Sequence, residues 1–149
     1  MRESFIRSLA AAIGEDRLEQ ALQGLSFPAS VSVRLNPFKS EGVHLPILEG
    51  SATVPWSPYG RILTERPVFT LHPLFHSGVY YVQDSSAMYV GAAFRQMLGE
   101  MVAEAGKRNL RVLDLCAAPG GKTTDLAASL REAVGDRFVL VANEVMRNR

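Results

Sequence analysis

The sequence predicts an α/β fold from two observations near its C-terminus. Arg111-Val112-Leu113-Asp114 is a β-branched and leucine run that reads as a buried strand ending in an acid. It passes through Cys116-Ala117-Ala118-Pro119-Gly120-Gly121 into an alanine- and leucine-rich helical stretch from Lys122 to Glu132. Phe138-Val139-Leu140-Val141-Ala142-Asn143 reads as a second buried strand and delivers Glu144 at its end. Strand, helix and strand in this order predict two adjacent parallel strands with a right-handed crossover, the start of a Rossmann-like sheet. A small α+β region precedes it. We place the boundary between residues 77 and 78, with 1–77 as the N-terminal region and 78–149 as the beginning of the second domain.

The elements before the sheet follow from spacing. Phe5, Ile6, Leu9, Ala10 and Ile13 repeat at helical intervals up to Gly14. A second helix begins near Asp16, sets Leu18, Ala21, Leu22 and Leu25 on one face, and is broken at Phe27-Pro28. Val31 to Leu35 alternates like a strand with Arg34 outward. From Pro37 to Pro73 the chain is rich in Pro and Gly, with short extended runs at Gly60–Leu63 and Val68–Leu71, which suggests irregular or hairpin structure. Asp84 then has the character of an N-cap. Ala87, Val90, Gly91, Phe94, Leu98, Met101 and Ala105 form the stripe of a long helix closed by Gly106, with Met88, Met97 and Met101 as core filler.

Composition bounds the function. Of 149 residues, 47% are hydrophobic and 21% charged, as in a globular protein that buries a core. No apolar stretch approaches the roughly 20 residues of a membrane span, and the N-terminus lacks the plan of a signal peptide. A single cysteine provides no disulfide framework and fits the reducing cytoplasm. Sixteen basic against fifteen acidic residues leave a net charge of +1, so charge alone does not reveal a nucleic-acid partner. Two parallel strands need neighbours and cover on both faces, which suggests that the sheet continues in a longer protein.

The glycine turn narrows the ligand. A phosphate-binding Walker loop needs glycine five positions before Gly121-Lys122-Thr123, where this chain has Cys116. The dinucleotide fingerprint needs G-x-G-x-x-G, and only the pair Gly120-Gly121 is present. What remains is a strand-end acid with a turn of free N–H groups, suited to a ligand with an amine and a ribose such as S-adenosylmethionine. Glu144 lies 23 residues beyond Gly121, close to the ~20-residue interval at which an acid meets ribose hydroxyls. An acid facing a cleft in this way is expected to serve the ligand and not stability.

The run Asp114-Leu115-Cys116-Ala117-Ala118-Pro119-Gly120-Gly121-Lys122-Thr123 resembles the cofactor motif of the RNA cytosine-5 methyltransferases of the Sun/Fmu and nucleolar-protein family. Arg34-Leu35-Asn36-Pro37-Phe38-Lys39 is similar to that family's Arg-x-Asn-x-x-Lys stretch. Gly78-Val79-Tyr80-Tyr81-Val82-Gln83-Asp84-Ser85-Ser86-Ala87-Met88 resembles its Gly-x-Tyr-Tyr-x-Gln element. Asn143-Glu144 matches the ribose-binding acid, with Arg147 or Arg149 as the family's next arginine. The resemblance implies an S-adenosylmethionine-dependent methyltransferase of carbon 5 of cytosine in rRNA or tRNA, monomeric, with RNA as partner and neither metal nor membrane. It implies a cofactor cradle of Asp114, Cys116, Ala117, Ala118, Pro119, Gly120, Gly121, Lys122 and Glu144. The catalytic cysteine is expected in a later Thr-Cys segment, so this chain alone is expected to be inactive. Two rival readings are a non-catalytic RNA-binding or assembly factor on the same scaffold, and a methyltransferase for a non-RNA substrate.

Single residues also have plainer roles. Cys116 as the lone thiol reads more readily as a small buried hydrophobe in the turn than as a nucleophile. His72 and His76 are separated by Pro73 and have no cysteine or acidic cluster beside them, which argues against a metal pair. Lys122 at a helix start opposes the helix dipole, which favours a ligand-side role over a purely solvated one. Gln83, Asp84 and Ser85 divide evenly between capping and a ligand-side role.

Overall fold

The computed structural model describes residues 2–146. The chain divides into two compact units at Ser30/Val31. The first is a helical hairpin, α1 (Glu3–Ile13) and α2 (Glu15–Ser26), turned at Gly14, whose φ of 90° is strained for any residue with a Cβ. Gly14 donates its N–H to the Ala10 carbonyl and so ends α1 where the periodicity stops.

The second unit holds two sheets. β1 (Val31–Leu35) is flanked by β3 (Gly60–Leu63) and β4 (Tyr80–Val82), and β2 (Ala52–Thr53) pairs outside β3, all antiparallel in the order β2-β3-β1-β4. The proline- and glycine-rich segment therefore forms a hairpin, as its composition suggested. β4, after residue 78, is hydrogen-bonded to β1, before residue 77. The compact units accordingly do not divide between 77 and 78.

β1 is buried on both faces. Val33 is fully enclosed with Leu45, Leu63, Phe69, Val79 and Tyr80, while Ser32 and Arg34 are buried on the opposite side. Arg34 thus points inward, contrary to its expected outward position. Alternation locates a side chain on one of two faces, but helix α5 (Gly121–Val134) covers the second face and supplies polar partners there. Phe69–Leu71 is a 3-10 turn rather than an extended run. The turn seats Phe69 among Phe75 and Tyr80, so aromatic burial sets the local conformation. α3 (Pro73–His76) is a single turn before β4.

The second sheet is the pair β5 (Leu110–Asp114) and β6 (Phe138–Ala142), parallel and in register from Leu110↔Phe138 to Asp114↔Ala142. Helix α5 joins them, and α4 (Tyr89–Ala105) packs beside α5 over the core of Phe94, Leu98, Leu110, Leu126, Leu130 and Val134. Gly91 allows this approach, because a Cβ there would overlap the Asp125 carboxylate. The stripe read for α4 holds at Gly91, Phe94 and Leu98, whereas Val90 and Met97 are exposed. Met88, in the 3-10 turn leading into α4, is fully buried. The strands are not fully buried as read. Leu113, Val139 and Val141 lie open on the face of the pair away from the helices, because helices α4 and α5 together cover only the other.

Candidate functional site: the turn between strand and helix

Asp114 ends β5 and organises the turn beyond it. Its Oδ1 accepts the Cys116 N–H at 3.1 Å, and its Oδ2 accepts the Thr123 hydroxyl at 2.6 Å. One carboxylate thereby joins the strand end, the turn and the first turn of α5. Gly120 adopts φ 106° as the residue before α5, a conformation open in practice to glycine. The Ala118–Pro119 peptide is cis.

β6 closes the turn from the other side. The Ala117 N–H donates to the Asn143 carbonyl at 2.9 Å, and the Asn143 N–H donates to the Asp114 carbonyl at 2.8 Å. Glu144 accepts the Ala118 N–H at 3.1 Å through Oε2 and the Met146 N–H at 2.9 Å through Oε1. The two predicted acids, separated by a whole helix in sequence, are thus brought to one loop. The N–H groups of Cys116, Ala117, Ala118 and Gly120 all have protein acceptors, so the turn does not offer them free, contrary to the expectation from sequence. The two carboxylates need partners and take the Cys116 and Ala118 amides, while the Asn143 and Ala117 carbonyls take those of Ala117 and Gly120.

A cleft of 180 Å³ opens against the turn, lined by Cys116 to Pro119, Gly121 and Lys122 on one side and by Tyr81, Gln83, Asp84 and Ala87 on the other. Tyr81 donates its hydroxyl to the Pro119 carbonyl at 3.1 Å. A Cβ on Gly121 would stand 3.1 Å from the Tyr81 ring, so glycine lets the β4 side approach. Gln83 is buried, and its Oε1 accepts the Arg34 Nε–H at 2.8 Å. Arginine only donates, so the amide oxygen must face it, and this leaves the buried Gln83 Nε2 as a donor with no protein partner. An orphaned buried donor beside a cleft is the kind of group a ligand acceptor satisfies. The Gly-x-Tyr-Tyr-x-Gln pattern carried this signal, yet only the pairing of Gln83 with Arg34 reveals which end of the amide is free.

Arg34 anchors the wall. It donates to the Gly121 carbonyl at 3.0 Å and the Thr124 hydroxyl at 2.6 Å, and it lies 3.9 Å from Asp125. Desolvation lowers its pKa below the ordinary arginine value, partly offset by the Asp125 charge. Arg95 completes this cluster, 3.0 Å from the same Asp125 oxygen.

Cys116 and Lys122 are both exposed on the turn, so Cys116 is not the buried hydrophobe of its plainer reading. The Cys116 N–H is held by Asp114 in the turn between β5 and α5, which keeps its side chain at the surface. His72 and His76 bind within their own neighbourhood, His72 Nδ1 to the Tyr80 hydroxyl at 3.1 Å and His76 Nε2 to the Thr70 carbonyl at 2.8 Å. Among the described residues no group of His, Cys, Asp and Glu could hold a metal. No helix among them is long and apolar enough to cross a membrane. Arg147 and Arg149, the expected arginines after Glu144, lie outside the described residues.

Comparison with known proteins identifies the family. Residues 1–85 match the profile of the N-terminal domain of 16S rRNA methyltransferase RsmF. The chain is 30% identical over 145 residues to ribosomal RNA small subunit methyltransferase F of Erwinia tasmaniensis, covering 90% of this chain and 27% of that protein. The Vibrio atlanticus protein of the same name is 42% identical over 73 residues, 49% of this chain and 13% of its own length. The crystal structure of PH0851 shares the fold with a TM-score of 0.70 at 21% identity, over 97% of this chain and 31% of that one. The chain therefore spans less than a third of each of these proteins. It belongs to the family of the 16S rRNA methyltransferase RsmF, over the part that carries that family's N-terminal domain.

Proposed function

We propose that the protein carrying this chain methylates carbon 5 of a cytosine in RNA, with S-adenosylmethionine as methyl donor. Ribosomal RNA is the favoured substrate because the matched relatives are named for it, and transfer RNA is the alternative. The observation that carries the cofactor reading is the convergence of two strand-end carboxylates, Asp114 and Glu144, on one Pro-Gly-Gly turn. Three features of the chain fit such a cofactor: an acid at the end of each parallel strand, glycines that admit close backbone approach, and the unpartnered Gln83 amide. Asp114, Cys116, Ala117, Ala118, Pro119, Gly120, Gly121 and Lys122 would hold the amino-acid end, and Glu144 the ribose. When bound, the cofactor supplies an electrophilic methyl group on a sulfonium sulfur.

The chain's own part is to bind and orient. Asp114 keeps the turn in shape through Cys116 and Thr123, and Lys122 brings a positive charge to the rim of the cleft. Cys116 belongs to the cradle in this reading, and the thiol that attacks the base comes from elsewhere in the protein. The exposed apolar face of β5 and β6 is the face that helices cover in a Rossmann-like sheet. A cytoplasmic location belongs to this reading, and the single cysteine fits that reducing compartment.

Calorimetric titration with S-adenosylmethionine tests the cradle. Hydrogen bonds to a charged group contribute about 1.5–3 kcal/mol, so Glu144→Ala should weaken binding at least about tenfold, or ~1.4 kcal/mol. Glu144→Asp should lose less. Because Glu144 also accepts two backbone N–H groups, Glu144→Ala should lower stability by about 1 kcal/mol, not leave it unaltered. Unchanged cofactor affinity in Glu144→Ala would reduce Glu144 to a structural clasp of the turn.

A further inference from the structure

A second cavity, of 330 Å³, lies beside the cofactor cleft and shares Tyr81 with it. Its lining includes three cations, Arg34, Lys39 and Arg131, and no acid, in a chain whose net charge is only +1. Phe38 and Arg131 form its rim, both more than half exposed, with the guanidinium 5.7 Å from the ring centroid. Asn36 shapes the loop that presents them. Its Oδ1 accepts the Phe38 N–H at 3.1 Å, and its Nδ2 donates to the Gly78 carbonyl at 3.1 Å. Lys39 Nζ gives one N–H to the Ser77 carbonyl at 2.9 Å and keeps two for another acceptor. Arg131 pairs with Asp136 at 3.3 Å across open solvent, a contact weak enough to yield to a phosphate.

A mainly apolar cavity with Lys39 and Arg131 in its lining, an exposed aromatic ring on its rim and no acid fits an anion that carries a flat ring, while Arg34 stays committed to its protein partners. We propose that it takes one unpaired nucleotide of an RNA strand lying next to the cofactor cleft, its base against Phe38 and its phosphate between Lys39 and Arg131. The inference rests on the proposed RNA substrate and adds the place where the strand is gripped. Bases in a duplex are stacked on one another, so the cavity selects single-stranded RNA. The shared Tyr81 puts the gripped nucleotide beside the methyl donor's cleft, on the strand that carries the target base.

Fluorescence anisotropy of the full chain with a labelled eight-nucleotide single-stranded RNA tests this. Loss of one base–aromatic stack should weaken binding about tenfold in Phe38→Ala, with Phe38→Trp restoring it. Arg131→Gln should weaken binding and flatten its salt dependence by roughly one unit of log–log slope. Both residues are exposed, so thermal unfolding and S-adenosylmethionine affinity should stay at their wild-type values in these variants. If wild type binds the RNA and both variants bind it equally well, the site is wrong while the RNA reading stands. If wild type binds no RNA at low salt, the RNA reading fails and takes this inference with it. Displacement of the strand by cytidine monophosphate at the same affinity would mark a free-nucleotide site and overturn the strand assignment.

Discussion

The two sheets of the second unit solve burial differently. The antiparallel sheet encloses its central strand on both faces, with Val33 fully buried toward the loop core and Arg34 buried toward α5. The parallel pair buries one face against α4 and α5 and leaves Leu113, Val139 and Val141 open on the other. The antiparallel sheet has its own loops on one face and α5 on the other, whereas the parallel pair has helices on one face alone. The first sheet therefore carries the stability of the cleft's wall, and the second carries the strand ends at which Asp114 and Glu144 meet the turn. The Arg34–Asp125–Arg95 cluster is the seam between them, because Arg34 stands on β1 and Asp125 on α5.

Breaking that seam should have the largest effect. Asp125→Ala leaves two arginines facing one another without their carboxylate, and removing one partner of a buried pair costs about 3–5 kcal/mol. Denaturant unfolding monitored by Trp56 fluorescence checks it, since Arg95 donates to the Trp56 carbonyl at 3.3 Å. A loss below about 1 kcal/mol would mean that the two sheets do not lean on this cluster.

Matched truncations on the two sheets should differ next most. Val33→Ala opens a cavity in the enclosed core and should cost about 2 kcal/mol, in the range of buried aliphatic deletions. Val141→Ala, on the open face, should stay within about 0.5 kcal/mol. Equal losses at both positions would show that the face of the parallel pair is covered in solution.

The smallest effect concerns a second tie across the seam, from Tyr59 to Glu132 on α5. The hydrogen bond to Glu132 pushes the Tyr59 pKa up to about 12, with desolvation adding to it. The unfolded chain releases this proton near pH 10. The tie's contribution is therefore present below about pH 10 and is lost as the pH rises through about 12. Ultraviolet titration should show one late phenol in wild type, moved back toward its ordinary value in Glu132→Gln. Because the pair is open to solvent, the change in stability at neutral pH should be slight.

Much of this molecule is legible in its sequence because it depends on neighbours in the chain. The periodicity of α1, the stop at Gly14, the hairpin in the proline-rich segment and the β5–turn–α5–β6 order all follow from local sterics and spacing. The motif from Asp114 to Thr123 marks the site by the same logic, since a strand end, a glycine turn and a helix start are consecutive residues. Tertiary structure alone decided the rest. Arg34 turns inward because α5 brings Thr124 and Asp125 to it across about ninety residues of chain. Gln83 is left with a free donor only because Arg34 claims its oxygen. The Ala118 amide is occupied because Glu144 folds back onto it. Periodicity tells which face a side chain is on, but what covers that face, and which polar groups must be satisfied there, is set by segments far away in the sequence.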